Sequence, residues 1–531
     1  MTRAIGLFAL LTVVMTWPQA RFIATEATPH QDVFFNMWRL EWFAHALSTQ
    51  PAHLFDANIF YPERDTLALS DAMIVEGFVA APLVWAGMPP VLMHNLLLLG
   101  AIALSGAAMF ALARYLTGSR AAGIVAGIVF AFAPYRVEHI MHMELQWTMW
   151  MPLSFLALHR LFDTGRMKYG LAVGACLALQ MLSSIYYGAF LGILLGLAAL
   201  LLIARDRGAP IRKMIAPLAA GAVVALAVSV VYGRPYMRVH PRTGDRPDSE
   251  INEFSARPAS YLAATPNNWL YGGRPGRTSG PERRLFPGTV ALLLATAGLL
   301  LVIPSRRQIA YLLLLAVAFE LSLGFGGYSY RFLHDYVSVF RGLRALARVG
   351  VFVLMFVAVL AAYGYRVLVA EWSARKRRAM LVIVGVLLLV EYRASPALEP
   401  YVSSAPPFYR VLAGQPRGVV LELPLPRVNE MPGDEARYAY MSTFYWFPLV
   451  NGYSGFFPAS YLDRLDRLRD FPDERSLRQI RADGVKYVIV HASGYSEMEL
   501  AQVTARLRAL GMAELGTDSD GVAPATLFRA P

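Results

Sequence analysis

The chain has 531 residues, of which 56% are hydrophobic and only 16% are charged, whereas soluble globular domains carry about 25% charged residues. This balance excludes an ordinary soluble enzyme and a disordered chain, and the single cysteine, Cys176, excludes an internal disulfide scaffold. The net charge of +12 indicates membrane topology rather than nucleic-acid binding, because basic residues accumulate in the inner loops of membrane proteins.

Long apolar runs predict an α-helical polytopic membrane protein with about eleven transmembrane helices. The first run, Ile5 to Trp17, follows Arg3 and has the outline of a signal peptide, but residues 16–20 form a poor cleavage site. The other runs lie near 94–116, 121–134, 147–162, 169–188, 189–204, 214–232, 286–303, 309–325, 348–370 and 380–393.

Basic residues predict which loops are cytoplasmic. With the N-terminus inside, every short inner loop carries arginine or lysine, including Arg120, Arg207 and the run 375–378, as the positive-inside rule requires. We therefore expect a multi-pass protein of the inner (plasma) membrane with a cytoplasmic N-terminus. The membrane domain would span 1–393, with outer loops at 21–90, 135–146, 233–285 and 326–347.

The segment 394–531 predicts a separate, small extracytoplasmic α/β domain. Residues 418–424 and 485–490 have the composition of buried strands, and residues 461–469, 475–481 and 498–510 have helical spacing. No glycine-rich phosphate loop and no zinc-spaced Cys/His set occur in it. We expect a docking or lid domain.

The first outer loop contains the most informative acid, Asp32. It opens a stretch to Leu47 in which apolar and aromatic residues recur at helical spacing, which predicts an amphipathic helix in the membrane interface. A carboxylate at the start of such a helix is stabilised by the helix dipole. The alternative is that Asp32 is only the N-cap of this helix.

The same loop continues with acids interleaved with aromatic residues. Between Pro51 and Asp65, carboxylates alternate with phenylalanine and tyrosine rings. Sugar-binding sites have this composition, because rings stack on apolar sugar faces while polar groups bind hydroxyls. The residues expected to bind substrate here are Asn58, Tyr61, Glu63 and Asp65.

In this organisation the sequence resembles the GT-C glycosyltransferases, which include protein O-mannosyltransferases and oligosaccharyltransferase subunits. The resemblance rests on the membrane-surface Asp32, the juxtamembrane helix, the many spans and the outer C-terminal domain. Residues 58–62, 134–136 with His142, and 450–456 resemble uncharacterised bacterial members. The resemblance implies that Asp32 acts at the acceptor or at a metal, that a second acid lies on the next outer loop, and that Arg136 binds substrate.

That next outer loop, 135–146, carries two acids and two histidines. Glu138 and His142 are four residues apart, so a helix would place them on one face. Together with His139 and Glu144 they could bind a divalent cation or supply a general base, or they could form only local ion pairs. Both Glu138 and Glu144 are candidates for the second acid. If a metal is present, the expected ligands are Asp32, His139 and His142.

Arginine is dense in the outer stretch 233–285, which departs from the positive-inside rule. This stretch also includes Arg274 and Arg277. Guanidinium groups bind phosphate bidentately, so we expect contact with a phosphate-bearing donor; nonspecific contact with lipid headgroups is the alternative. The residues expected to bind the donor phosphate are Arg234, Arg238, Arg341, Arg344 and Arg348.

The resemblance predicts a hexosyl- or glycosyltransferase that moves a sugar from a polyprenyl-phosphate carrier to a saccharide, lipid or protein acceptor on the outer face. Membrane lipids would be further partners, and nucleic acid would not. The alternative is a transporter or flippase of lipid-linked saccharides, for which Glu320 is the one acid near mid-span. A noncatalytic assembly protein is a third hypothesis.

Overall fold

The computed structural model describes residues 1–205, 211–272 and 280–531. Arg207, Arg274 and Arg277 therefore lie outside the described residues. The chain divides into two compact units. The helical unit comprises Met1–Phe22, Leu96–Tyr232 and Asp245–Ala397, and the mixed unit comprises Ile23–Asn95, Gly233–Gly244 and Leu398–Pro531.

Helices make up most of the chain, and short 3-10 turns connect several of them. In chain order they are α1 (Thr2–Met15), α2 (Gln31–Thr49), α3 (Ile74–Trp85), α4 (Pro90–Thr117), α5 (Arg120–Phe132), α6 (Pro134–Glu138), α7 (Trp150–Thr164), α8 (Met167–Ser183), α9 (Ile185–Arg205), α10 (Ile211–Thr243), α11 (Asp248–Glu253), α12 (Thr289–Leu300), α13 (Arg306–Ser322), α14 (Ser329–Tyr336), α15 (Gly350–Leu368), α16 (Ala374–Tyr392), α17 (Pro407–Ala413), α18 (Glu435–Met441), α19 (Ala459–Arg467), α20 (Glu474–Ala482) and α21 (Glu497–Ala509). The strands are β1 (Glu26–Ala27), β2 (Glu399–Pro400), β3 (Val419–Leu423), β4 (Val485–His491), β5 (Ala513–Ser519) and β6 (Pro524–Arg529).

Each predicted apolar run lies on a helix, so the polytopic helical fold is confirmed. Among the described residues, five helical stretches are long and apolar enough to cross a membrane. They are Pro90–Thr117, Arg120–Glu138, Ile185–Ala204, Lys213–Thr243 and Leu346–Leu368.

The centre of the helical unit is α15. Every residue from Gly350 to Tyr365 is buried, and a helix that is apolar on all sides belongs inside a bundle. Its closest neighbour is α12: a Cβ on Gly298 would lie 2.8 Å from the backbone nitrogen of Gly364. The two helices therefore cross where only glycine fits. Small residues allow the backbones of membrane helices to approach each other closely in this way.

One apolar helix was not predicted. The twelve residues of α3 lie in the predicted first outer loop, 21–90, which was expected to be a polar segment. This helix is short for a membrane span, and it packs against α2 inside the mixed unit. A Cβ on Gly77 would lie 2.4 Å from the ring of Phe43, so this glycine allows the contact.

The C-terminal segment forms the predicted small α/β fold. Its four-stranded sheet has the order β3-β4-β6-β5, in which β3 and β4 are parallel and the other pairs antiparallel. Leu421, Val488 and Phe528 from the sheet pack with Ile480 and Leu507 from the helices. The two predicted strands and three predicted helices correspond to β3, β4, α19, α20 and α21, whereas β5 and β6 were missed.

The first outer loop belongs to the same unit as this α/β fold. β1 pairs with β2 in an antiparallel bridge. Farther along the loop, the Phe60 backbone N–H donates to the Asn451 carbonyl at 3.0 Å, and the Leu449 N–H donates to the Asn58 carbonyl at 2.7 Å. Residues 398–531 of the predicted C-terminal segment are therefore part of a larger folded body that also contains most of the first loop.

A fully buried charge network lies in the mixed unit. His491 lies between two carboxylates: Nδ1 is 2.7 Å from Asp520 Oδ2, and Nε2 is 2.7 Å from Glu422 Oε2. Burial alone would lower the pKa of His491, but the hydrogen bonds to Asp520 and Glu422 outweigh it and raise that pKa above 6.5. Burial also raises the pKa of Glu435 to about 8.

We expect the free energy of unfolding to fall as the pH rises from about 6.5 to about 8, where buried histidines such as His139 are neutral in both the folded and the unfolded state. Over this window Glu435 keeps its proton in the folded state and loses it on unfolding, since its exposed value is 4.5. His491 adds to the decline above pH 6.5, because its pKa is higher when folded. Thermal unfolding of the purified protein at several pH values measures this slope.

The matched control is Glu435→Gln, which carries no titrating proton. Its Tm should depend less on pH than that of the wild type. A wild-type Tm that rises between pH 6.5 and pH 8 would contradict the assignment of a protonated Glu435 and a charged His491.

Candidate functional site

Helix α2 places Asp32 in its first turn. The N-cap is His30, whose Nδ1 accepts a hydrogen bond from the Asp32 backbone N–H at 3.1 Å. The alternative interpretation of Asp32 as the N-cap is therefore wrong, because the N-cap lies two residues earlier, at His30. The carboxylate still lies where the helix dipole favours negative charge.

The Asp32 carboxylate is held by a residue 421 positions away. The Tyr453 hydroxyl donates to Asp32 Oδ1 at 2.8 Å, and His30 Nδ1 lies 3.4 Å from Oδ2. The Asp32 side chain keeps 16% of its surface exposed. An oriented, partly exposed carboxylate can accept a proton from a bound hydroxyl or coordinate a cation.

Asn58 connects the first loop to the C-terminal segment. Its Oδ1 accepts from Trp38 Nε1 at 3.1 Å, and its Nδ2 donates to Ser442 Oγ at 2.9 Å and to the Phe447 carbonyl at 3.2 Å. Tyr61 packs against the core of the sheet. Both predicted substrate residues therefore also hold the mixed unit together.

Glu63 and Asp65 form ion pairs with the end of α10. Arg238 binds Asp65 through two hydrogen bonds of 2.9 and 2.5 Å. Glu63 accepts from Arg242 and from Ser460, both at 2.6 Å. These pairs bring one predicted phosphate-binding arginine, Arg238, together with one predicted substrate residue, Asp65, whereas Glu63 pairs with Arg242.

In the helical unit, Arg136 and Glu138 organise the second loop. The Arg136 guanidinium is buried and donates to the Leu145 carbonyl at 2.8 Å and to the Gln146 carbonyl at 3.0 Å. Glu138 pairs with Arg284 at 2.5 Å.

The two predicted histidines lie close to an acid that was not predicted, Glu282. One possible ligand atom each from His139, His142 and Glu282 lies within 4.8 Å of the others. His139 Nε2 is buried without a hydrogen-bond partner and lies 3.8 Å from Glu282 Oε2. Glu282 is the only acid between Glu253 and Glu320 in the sequence. This isolation in a stretch rich in arginine was the one sequence feature that could have indicated its role.

Burial and charge set the protonation of this group. Burial lowers the pKa of His139 to about 3, so its ring is neutral at physiological pH. Burial alone would raise the pKa of Glu282, but the guanidinium of Arg348 outweighs it and holds that pKa at about 2. Arg348 binds Glu282 through Nη2 at 2.6 Å and also through Nε. Glu144 is close enough to interact electrostatically with Arg348.

The predicted phosphate-binding arginines differ in their partners. Arg234 is exposed and forms no hydrogen bond or salt bridge within the described ranges. The other four bind protein groups: Arg238 binds Asp65, Arg341 the carbonyls of His334 and Asp335, Arg344 Glu250, and Arg348 Glu282.

Glu320, on which the transporter alternative depends, stabilises a helix start. Its Oε1 accepts the backbone N–H groups of Tyr328 and Ser329, the latter at 2.8 Å. These contacts lie at the beginning of α14 and give Glu320 a structural role.

A scan against protein-family models finds no match, and a sequence comparison with curated proteins finds none either. Solved structures do match. The cryo-EM structure of arabinofuranosyltransferase AftD from mycobacteria has a TM-score of 0.62 at 13% identity, and the match covers 100% of this chain and 40% of that one. The chain thus spans well under half the length of AftD, and the likeness shows the fold alone.

Two further structures match less closely. The Archaeoglobus fulgidus oligosaccharyltransferase gives a TM-score of 0.48 at 11% identity, with 92% of this chain and 69% of that chain covered. ArnT from Cupriavidus metallidurans, bound to undecaprenyl phosphate, gives 0.47 at 12% identity, with 100% and 98% covered. The fold assignment rests on the AftD match, whose score exceeds 0.5, whereas the scores of the oligosaccharyltransferase and of ArnT do not.

Proposed function

Because the chain has the fold of the GT-C membrane glycosyltransferases, we propose that it transfers a sugar from a polyprenyl-phosphate carrier to an acceptor. The observation that carries this proposal is the Asp32 site. A partly exposed carboxylate, fixed by Tyr453 in the first turn of α2, suits a base that takes a proton from a bound substrate. Most of α2 is buried in the mixed unit, so the predicted interfacial helix is a packed helix instead.

The proposed reaction is a displacement at the anomeric carbon. The acceptor hydroxyl forms the new glycosidic bond while Asp32 takes its proton, and the bond between the sugar and the carrier phosphate breaks. The polyprenyl phosphate leaves with the electron pair. Tyr453 keeps the Asp32 carboxylate oriented through its 2.8 Å hydrogen bond, so little reorganisation accompanies proton transfer.

We propose that Arg234 binds the carrier phosphate. Among the five predicted arginines it alone has no partner within the described part of the chain, and it lies just after the apolar run 214–232 within α10. Arg238, Arg344 and Arg348 already neutralise carboxylates. A phosphate would therefore meet less competition at Arg234.

We also propose that the chain lies in the inner (plasma) membrane with the N-terminus cytoplasmic and the mixed unit extracytoplasmic. The basic residues of the short predicted inner loops support this orientation. The acceptor would be a saccharide, lipid or protein of the cell envelope.

A divalent cation would fit His139, His142 and Glu282. The buried, unpartnered Nε2 of His139 and its neutral ring meet the needs of a metal ligand, and two imidazoles with one carboxylate form a set that zinc accepts. When bound, such an ion supplies Lewis-acid polarisation of an oxygen ligand. Arg348 offsets the Glu282 charge and so tunes the affinity.

The first test is Asp32→Asn. The amide keeps the shape and an acceptor oxygen for Tyr453 but cannot take a proton, so kcat should fall at least ~10²-fold while Tm stays near that of the wild type. A transfer assay with labelled carrier-linked sugar measures kcat. Asp463→Asn, which alters an exposed carboxylate of the same unit, is the matched control. Full activity of folded Asp32→Asn would refute the proposed base.

The second test is Arg234→Ala. Loss of a charge-assisted contact to phosphate costs about 1.5–3 kcal/mol, so the KM for the carrier should rise about ten- to a hundred-fold while the KM for the acceptor changes little. Arg344→Ala should instead lower the stability and leave the KM for the carrier near that of the wild type, because Arg344 is already paired with Glu250. Arg475→Ala, at an exposed position, is the control. Equal effects on both KM values would indicate a folding role.

The third test concerns the metal. Zinc titration of the purified protein by calorimetry should show one site whose affinity falls at least about tenfold in His142→Ala. His53→Ala removes an exposed histidine and should bind zinc as the wild type does. Unchanged zinc affinity in His142→Ala would exclude these ligands.

A further inference from the structure

A second polar and aromatic site lies at the other end of α2. A cavity of about 140 Å³ opens there, within the mixed unit, and the rings of Trp42, His45 and Trp446 line one part of it. A cavity of roughly 150 Å³ holds a six-membered ring such as benzene. The space therefore suits a single ring rather than an extended chain.

The aromatic wall is fixed in place. The rings of His45 and Trp446 are stacked with centroids 4.2 Å apart, and the Trp42 and Trp446 centroids are 5.9 Å apart. Trp42 Nε1 donates to the Leu54 carbonyl at 2.9 Å. Trp446 has a φ of +53°, a left-handed backbone conformation that residues other than glycine rarely adopt. Residues in this conformation occur preferentially at functional sites.

Polar groups of both signs line the rest of the cavity. They include Gln50, Asp56 and the exposed Arg417. Asp56 is held by its neighbours, since Oδ1 accepts the Asp65 backbone N–H at 2.9 Å and Oδ2 lies 3.1 Å from His53 Nδ1. Arg417 forms no salt bridge among the residues that the structure describes.

This combination identifies a ligand class. Aromatic rings pack on the apolar C–H face of a sugar, while carboxylate, amide and guanidinium groups bind its hydroxyls. A quaternary ammonium ligand also favours an aromatic cage, but it has no oxygen to accept a hydrogen bond from the Arg417 guanidinium. A phosphate would be repelled by Asp56 and by Glu63, which also lines the cavity.

We propose that this cavity binds one sugar ring of a glycan, at a site separate from Asp32. Ten residues of helix separate Asp32 from Trp42, which corresponds to about 15 Å along α2. The mixed unit would thus hold a saccharide at one end of α2 independently of the chemistry at the other. A glycan longer than one residue could engage both ends.

Tryptophan fluorescence of the purified full-length protein tests the proposal. The probes are the methyl glycosides of glucose, galactose, mannose and arabinose, with tetramethylammonium as a competing ligand class. We expect a saturable change with at least one glycoside. Trp446→Ala should weaken binding about tenfold, the value of one good aromatic contact. Arg417→Ala, at an exposed position, should weaken it while leaving folding intact.

Two variants separate this site from other effects. Trp372→Ala removes a tryptophan of the helical unit and should bind the glycoside as the wild type does. Asp32→Asn should also bind the glycoside with wild-type affinity. Glycoside binding can therefore be judged even if the proposed transferase activity is not found. The proposal is overturned if no glycoside gives a saturable change, if only tetramethylammonium does, or if folded Arg417→Ala binds with unchanged affinity.

Discussion

The mixed unit depends on the pairing of the first loop with the C-terminal segment. Backbone hydrogen bonds join Asn58 to Leu449 and Phe60 to Asn451, and the Asn58 side chain satisfies three groups across the same contact. Leaving any of these buried groups unpaired would cost about 1–3 kcal/mol. The contact also positions Tyr453 against Asp32, so the geometry of the proposed base follows from it.

In the helical unit, the main constraint is that charged groups are buried. Glu282 is held ionised by Arg348, and His139 is held neutral by burial. A buried carboxylate without its guanidinium would be strongly destabilising, because an uncompensated charge loses its hydration. The same pairing leaves one unpartnered imidazole nitrogen beside the carboxylate, and functional groups in proteins often have such perturbed protonation.

The sequence predicted the features that hydrophobic patterning controls. All the apolar runs are helices, and the buried strands β3 and β4 lie where continuous apolar residues indicated them. Strand β5 was missed because its residues are largely exposed and show no apolar alternation. Helix α3 was missed because it is too short for a span and is packed by Gly77 against α2.

The candidate sites were only partly predictable. Asp32, His139 and His142 were selected from local composition, and the structure gives each a defined environment. Their partners Tyr453 and Glu282 lie far away in sequence, and no local pattern indicates which distant side chain completes a site. Trp446 and Arg417 were missed for the same reason, since they meet the first loop only through the fold.

The most direct measurement is release of polyprenyl phosphate by the purified wild-type protein in lipid nanodiscs. The substrates are polyprenyl-phosphate-linked hexoses and pentoses carrying a labelled sugar. A glycosyltransferase of the proposed kind releases the carrier phosphate with at least one of them and moves the label to an acceptor or to water. Folded protein that binds the carrier but leaves every sugar–phosphate bond intact would contradict the account.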